Sequence, residues 1–268
     1  MNTEFRKPAT AGAIGLSTAA LAIVVWISLS SDARADADFA QSRLKEMSDY
    51  MTAQTALSFT YEATLEIVTT EDQKLELASS GVAVLNRPDR IRATRHGGFA
   101  NIEMIFDGTT MTMFGPDANL YTQFAVPGSI DNLIDTLRDQ HGLVLPAADL
   151  LLANPYGELM PGVTDVKDIG SGVFGEVECD HFAFRADEVD WQIWIAQGDR
   201  PYPCRYVITT KGVTLSPQYS IGIANWRTGD EVALDDFAFE NSTGAAMTAL
   251  EDLPISDLPE NFTKEAAQ

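Results

Sequence analysis

Cys179-Asp180-His181 is the stretch of this chain whose residue types come nearest to chemistry. A thiol and an imidazole two residues apart read as half of a metal site, with Cys204 as a third candidate ligand. A closed zinc site needs four ligands, or three and a water. No further pair at recognisable spacing is offered by His96 or His141. The expectation is a structural Asp180–His181 hydrogen bond, with no metal and no other cofactor. Gly170 to Val177 reads G-x-G-x-x-G-x-V, the pattern of a phosphate-cradling loop. Such a loop must open a helix, yet Val177 to Arg185 alternates like a strand, and no H-R-D segment follows to complete a kinase set. A hairpin turn between strands ending near Ile169 and starting near Val173 is expected there, and no nucleotide. There is no G-x-S-x-G and no Cys-His-Asn arrangement. Because triad members can lie far apart in a chain, a hydrolase stays as an alternative function.

Two other sets of residues read as binding rather than catalysis. Arg87, Arg90, Arg92 and Arg95, with His96, form a local basic cluster in an acidic chain. They either pair with the acidic surface or dock an acidic protein partner, which makes a sensor or interaction module a second alternative. Met104, Met111 and Met113 fall on neighbouring strand segments. Trp191 shares a face with Ile193 and Ile195, and Trp194 points the other way. A strand apolar on both faces must be covered on both. With Ile134 and Leu137 of a nearby helix, these residues form either plain core or the lining of a cavity for an acyl chain, since thioethers suit adaptable apolar surfaces.

The elements that would position these residues follow from periodicity. Ala40, Leu44, Met47 and Met51 recur at helical spacing within Asp38 to Gln54. Leu57 to Ile67 alternates without a fault, as a long strand with one wet side. Strands are expected at Gln73–Leu85, where Gly81 eases a bend, then at Arg90–Arg95, Asn101–Phe106, Thr109–Phe114 and Leu120–Ala125. Asp107-Gly108 is a hairpin signal. Ser129 caps a helix to Gln140 whose apolar face is Ile130, Leu133, Ile134 and Leu137, and Pro146–Ala153 is a second, short one. Strands resume at Val163–Ile169, Val173–Arg185, Asp190–Ala196, Arg205–Thr210, Ser220–Trp226 and Asp235–Glu240, before an acidic tail over 244–268 with one helical turn near Ala245–Leu250. The hairpin-like connections predict an antiparallel sheet. The inserted helices need a sheet face to cover, so the fold class is mainly β (α+β): one strongly curved sheet with about three helices on its concave side.

Cys179 and Cys204 fall on strands two apart. Both register opposite about Ala196, so in a flat sheet they lie ~9–10 Å from one another, whereas a disulfide needs Cα atoms within ~7 Å. An oxidising compartment favours pairing and flat register opposes it. The bridge requires the Pro201–Pro203 loop to fold across Ala196 and Gly198.

Compartment is read from the first 35 residues. Arg6 and Lys7 precede an uncharged apolar run, Ala9 to Ser30, and Ala33-Arg34-Ala35 follows. That is a secretory signal peptide cleaved before Asp36; an uncleaved membrane anchor is the other reading. A domain over 36–243 acts in the periplasm. The net charge of -21 excludes nucleic acid and anionic membrane surfaces as partners.

Several segments together resemble a known family. They are Asn86-Arg87-Pro88-Asp89-Arg90-Ile91-Arg92, Asp107-Gly108 with Thr109 to Met113, Leu145 to Leu151, Cys179 to Arg185 and Asp190 to Ile195. In this order they resemble a bacterial family of predicted periplasmic proteins, domain of unknown function 2092, over about residues 38–243. That family is similar in fold to the outer-membrane lipoprotein carriers of the LolA/LolB type. The resemblance implies a half-open antiparallel barrel with a helical lid over an apolar cavity, and a hydrophobic small molecule or lipoprotein as ligand. It implies no catalytic residue.

Overall fold

The computed structural model describes residues 24–98, 101–234 and 236–254, with side chains from residue 36 onward. Residues 1–23 of the expected signal segment lie outside the described residues. Helix α1 (Val24–Ala53) leads into a meander of β1 (Ala56–Val68), β2 (Lys74–Asn86), β3 (Arg90–Gly97), β4 (Asn101–Phe106), β5 (Thr110–Gly115) and β6 (Leu120–Ala125). Helix α2 (Ile130–His141), a 3-10 turn at Ala148–Leu151 and the short helix α3 (Pro155–Leu159) come next. Then β7 (Asp165–Phe174), β8 (Val177–Arg185), β9 (Val189–Ala196), β10 (Pro203–Thr210) and β11 (Gln218–Thr228) return, and β12 (Ala246–Met247) and a 3-10 turn at Leu250–Asp252 end the described chain, where the sequence predicts a helical turn near Ala245–Leu250.

The twelve strands of the described residues form one curved, unclosed sheet in the order β12-β6-β5-β4-β3-β2-β1-β11-β10-β9-β8-β7. After α1 the chain enters the sheet near its centre with β1, walks towards one edge, crosses over through α2, the 3-10 turn and α3, and walks back from the other edge to pair β11 with β1. Every contact is antiparallel except that of β12, which pairs parallel with β6. The inward side chains of the sheet share one core with the apolar faces of α1 and α2. Ala40, Leu44, Met47 and Met51 of α1 are at most 1% exposed. The Ser129 hydroxyl accepts from the Asn132 amide and caps α2, as its position before an apolar stripe predicts. Arg43 anchors α1 to the sheet: its Nε donates to Asp180 at 2.9 Å and its Nη2 to the Ala196 carbonyl at 3.1 Å.

The structure corrects several expectations. The glycine-rich segment turns at Gly175-Glu176, not at Gly170–Gly172. Both residues of that turn have positive φ, +52° and +70°, as in a two-residue type I′ hairpin, whose twist matches the strands it joins. Gly170 instead lies inside β7 at a bulge, where the Asp168 side chain accepts from its amide at 2.8 Å. The described residues 236–240 are not a strand, because β11 is already paired on both edges by β1 and β10. They cross the outer face, where Phe239 packs on Phe114 and Tyr121. The segment beyond turns onto the edge of β6: Ala246 donates to the Asn119 carbonyl and Thr248 to that of Tyr121. Ala245 and Leu253 are buried there. The helix expected at Pro146–Ala153 is only the 3-10 turn, and α3 follows it, capped by the Asn154 side chain.

Gly81 does not ease a bend; it makes room for Tyr61. A Cβ at Gly81 would sit 1.9 Å from the Thr94 carbonyl oxygen and 2.7 Å from the Tyr61 ring, which lies across it to donate to that same carbonyl. Since backbone cannot swing aside as a side chain can, Gly81→Ala should cost about 1–3 kcal/mol. A lower urea midpoint at unchanged m-value would register it.

Candidate functional site

The inner face of the sheet is built in rows set by register. Leu57, Leu85, Ile91, Phe106 and Met111 stand side by side across β1 to β5 and are buried, and of these Ile91 reaches the cavity described below. The next row is Phe59, Ala83, Ala93, Met104 and Met113, and the one beyond is Tyr61, Gly81, Arg95 and Ile102. Ala63 and Ser79 pair in the row after that. The middle of this face therefore carries Ala63, Ser79, Gly81, Ala83 and Ala93, which leave the space that larger side chains would fill. Over that floor lie Ile130, Leu133 and Ile134 of α2 and the segment Leu143 to Leu151. Between floor and roof is a cavity of about 320 Å³. Its wall is mainly apolar, and Val144, 70% exposed, marks its mouth. Trp226 lines the cavity between Phe59 and Tyr202, stacked on both, and donates to the Tyr50 hydroxyl at 3.2 Å.

The other half of the inner face is filled. Trp191 stacks on Phe184 at 3.8 Å and meets Tyr206 edge-on. Of the residues expected to line a cavity, Met104, Met113 and Ile134 do so. Met111 and Leu137 have no exposed surface and belong to the solid core. Trp191 is on the correct face but over the filled half. Trp194 is on the opposite face, stacked on His181 at 3.9 Å and edge-on to Phe174, because neighbouring strand positions point to opposite sides. The floor of small residues and the aromatic end at Trp226 were not among the expected lining residues. Their signal was the run of inward Ser79, Gly81 and Ala83 in an otherwise bulky strand.

The arginine cluster disperses for the same reason. Arg90 and Arg92 project outward and Arg95 inward, being of opposite parity on β3. Arg92 pairs with Glu103 at 3.5 Å and donates to the Ala238 carbonyl at 3.0 Å. Arg87 lies in the turn before β3, its pKa lowered by burial against the opposing pull of Asp131. The four do not make one docking surface. Nor do Asp180 and His181 bond to each other, since they too point to opposite faces. Asp180 holds Arg43, and His181 shares a hydrogen bond with Gln192 at 3.0 Å. Cys179 and Cys204 form a disulfide, so neither thiol is available to a metal. Their Cα atoms are 6.9 Å apart because a bulge between Pro203 and Arg205 carries Cys204 out of flat register.

Residues 40–250 match the family model described as "Predicted periplasmic protein (DUF2092)". The chain belongs to this family. No curated protein matches the sequence. Among solved structures, this DUF2092 chain is similar to the lipoprotein LppX of Mycobacterium tuberculosis, with 13% identity, 73% of this chain and 97% of that one covered, and a TM-score of 0.37. An uncharacterized conserved protein of Thermus thermophilus shares 10% identity over 78% of this chain and 98% of that one, with a TM-score of 0.45. A putative outer membrane lipoprotein-sorting protein domain of Vibrio parahaemolyticus shares 8% identity over 76% and 97%, with a TM-score of 0.32. No described helix of this DUF2092 protein is long and apolar enough to cross a membrane.

One titratable group ties the roof to the sheet. Asp149, in the 3-10 turn, accepts from the Tyr206 hydroxyl at 3.3 Å, and its other oxygen has no hydrogen-bond partner among the described residues. Burial raises its pKa, the Tyr206 hydrogen bond opposes this, and Glu158 adds to the rise. Tyr206 and Tyr219 are themselves pushed up, chiefly by burial. A carboxyl with a raised folded pKa binds its proton more tightly in the native state. Its contribution to stability is full below the ordinary carboxylate range and is lost as pH rises through the raised value. Asp149→Asn should remove that decline, so its thermal midpoint exceeds the parent's at neutral pH, with the gap closing in acid. Thermal melts at a series of pH values check both the sign and the closure.

Proposed function

We propose that this protein is exported to the periplasm, where it shelters an acyl chain of a lipid or lipoprotein and performs no chemistry on it. One observation carries the reading: a cavity of about 320 Å³ with a mainly apolar wall persists between sheet and helices where close packing is the rule. Its volume lies at the lower end of the range for small-molecule sites. Each methylene moved from water to such a wall contributes ~0.8 kcal/mol, so a partly inserted chain already binds usefully. The family's description as predicted periplasmic proteins supports the compartment. Export proceeds through removal of residues 1–35, and the first residue of the mature chain is Asp36.

Mass spectrometry of the protein purified from periplasm without detergent tests the ligand. A co-purifying lipid is the expected result, together with a rise in fluorescence when a nonpolar fluorophore is added to delipidated protein. A bare protein that leaves the fluorophore dark would overturn the proposal. N-terminal sequencing of the same preparation checks the start at Asp36.

A further inference from the structure

The cavity wall is graded. Phe59, Ala83, Ala93, Met104 and Met113 form one row, with nothing polar in it. The next row brings Tyr61 and Arg95 together, one on each side of Gly81, and Ser79 and Tyr219 lie further along the same wall. Among the described residues lining the cavity, Arg95 alone carries a full charge. It stands half-buried on the inward face of β3 after Ile91 and Ala93, where an apolar side chain is the default. The absent Cβ of Gly81 lets the Tyr61 ring lie flat between the two neighbouring strands, with its hydroxyl at the Thr94 carbonyl, 2.9 Å away. Arg95 acts electrostatically on the Tyr219 hydroxyl, favouring its ionised form against burial.

We propose that the ligand is a single-chain anionic amphiphile, its tail against the alanine and methionine row and its acidic headgroup held by Arg95 beside Tyr61 and Tyr219. This rests on the hydrophobic-ligand reading above and names the ligand's class. A guanidinium offers a planar fork that matches carboxylate and phosphate oxygens alike, and such charge-assisted hydrogen bonds are about twice as strong as neutral ones. Recognition has to be local. The net charge of -21 repels an anion at long range, so only a cation within the wall can reverse the preference. Asp149, which also acts on Tyr219, is not among the described residues lining the cavity and is engaged by the Tyr206 hydroxyl at 3.3 Å. The small cavity accommodates one tail in preference to two.

The test uses four compounds with the same sixteen-carbon tail: hexadecanoate, hexadecyl phosphate, hexadecanol and hexadecyltrimethylammonium. Each is titrated below its micelle concentration against the delipidated full chain, displacing a nonpolar fluorophore. Expected is at least tenfold tighter binding of both acids, or of one of them, than of the alcohol, with the ammonium weakest. The acid that wins identifies the source as a fatty acid or a phosphate headgroup. Arg95→Gln should bring the acids down to the alcohol and leave the alcohol unchanged, and Arg95→Lys should restore part of the difference. Equal binding of acids and alcohol by the parent overturns the headgroup assignment while leaving the apolar cavity reading intact. Failure of all four compounds to bind overturns both.

Discussion

Ala83→Leu combined with Ala93→Leu is expected to weaken binding of a nonpolar fluorophore by more than tenfold while leaving the thermal midpoint at or above that of the parent. The two alanines are direct register partners on β2 and β3 and lie side by side on the cavity floor. Each leucine adds a branched group pointing into the space that a ligand would take. Excluding two or more ligand methylenes at ~0.8 kcal/mol each removes roughly the 1.4 kcal/mol that corresponds to tenfold in affinity. Added carbon in a filled core is destabilising by about 1–3 kcal/mol, but here it enters an existing void and gains contacts. The two readouts therefore move in opposite senses. A fall in midpoint of many degrees would mean that the floor is closely packed, and undiminished binding would place the fluorophore elsewhere on the protein.

Cys179→Ala with Cys204→Ala should lower stability by about 3–4 kcal/mol, from the loop-closure entropy of a bridge that spans 25 residues. For a chain of this size that is a drop of roughly 10 °C. The bridge spans the outer face, on the side away from the cavity, with Ala196 buried between its ends and Trp194, Phe174 and Tyr202 around it. Ligand binding below the new midpoint should accordingly be unchanged. Differential scanning calorimetry of the parent, the double variant and the reduced parent settles the size. Reduced parent and double variant are expected to agree, because both lack the same crosslink. A double variant that melts with the parent would show that the bulge at Cys204 restrains the loop by itself.

These expectations depend on features of very different legibility. The unbroken alternation from Leu57 to Ile67 is a central strand in the structure, and the Asp107-Gly108 hairpin and the Ser129 cap stand where local chemistry puts them. Each depends on a few neighbouring residues and is decided by backbone preference and the period of the side chains. Parity also separates Arg95 from Arg90 and Arg92 without any structure.

Which side of a strand faces in is a different matter. On β2, Val82 is 43% exposed while Gly81 and Ala83 face the interior, the reverse of what hydrophobicity alone selects. At Gly81 bulk is excluded by the Tyr61 ring and the Thr94 carbonyl, whereas Ala83 borders the cavity left beneath the roof residues of α2, and those neighbours come from other parts of the chain. The same holds for Trp191, whose face is legible but whose half of the sheet is filled by Phe184 and Tyr206. Cys204 reaches Cys179 through a bulge that flat register does not contain. The sequence by itself determined most of the strands, the two longer helices and the antiparallel curved sheet, since local periodicity encodes them, and its motif segments carried the likeness to a periplasmic family. Only the tertiary structure decided where the interior stays empty, because a void is set by the sizes of residues that meet across the sheet and are remote along the chain.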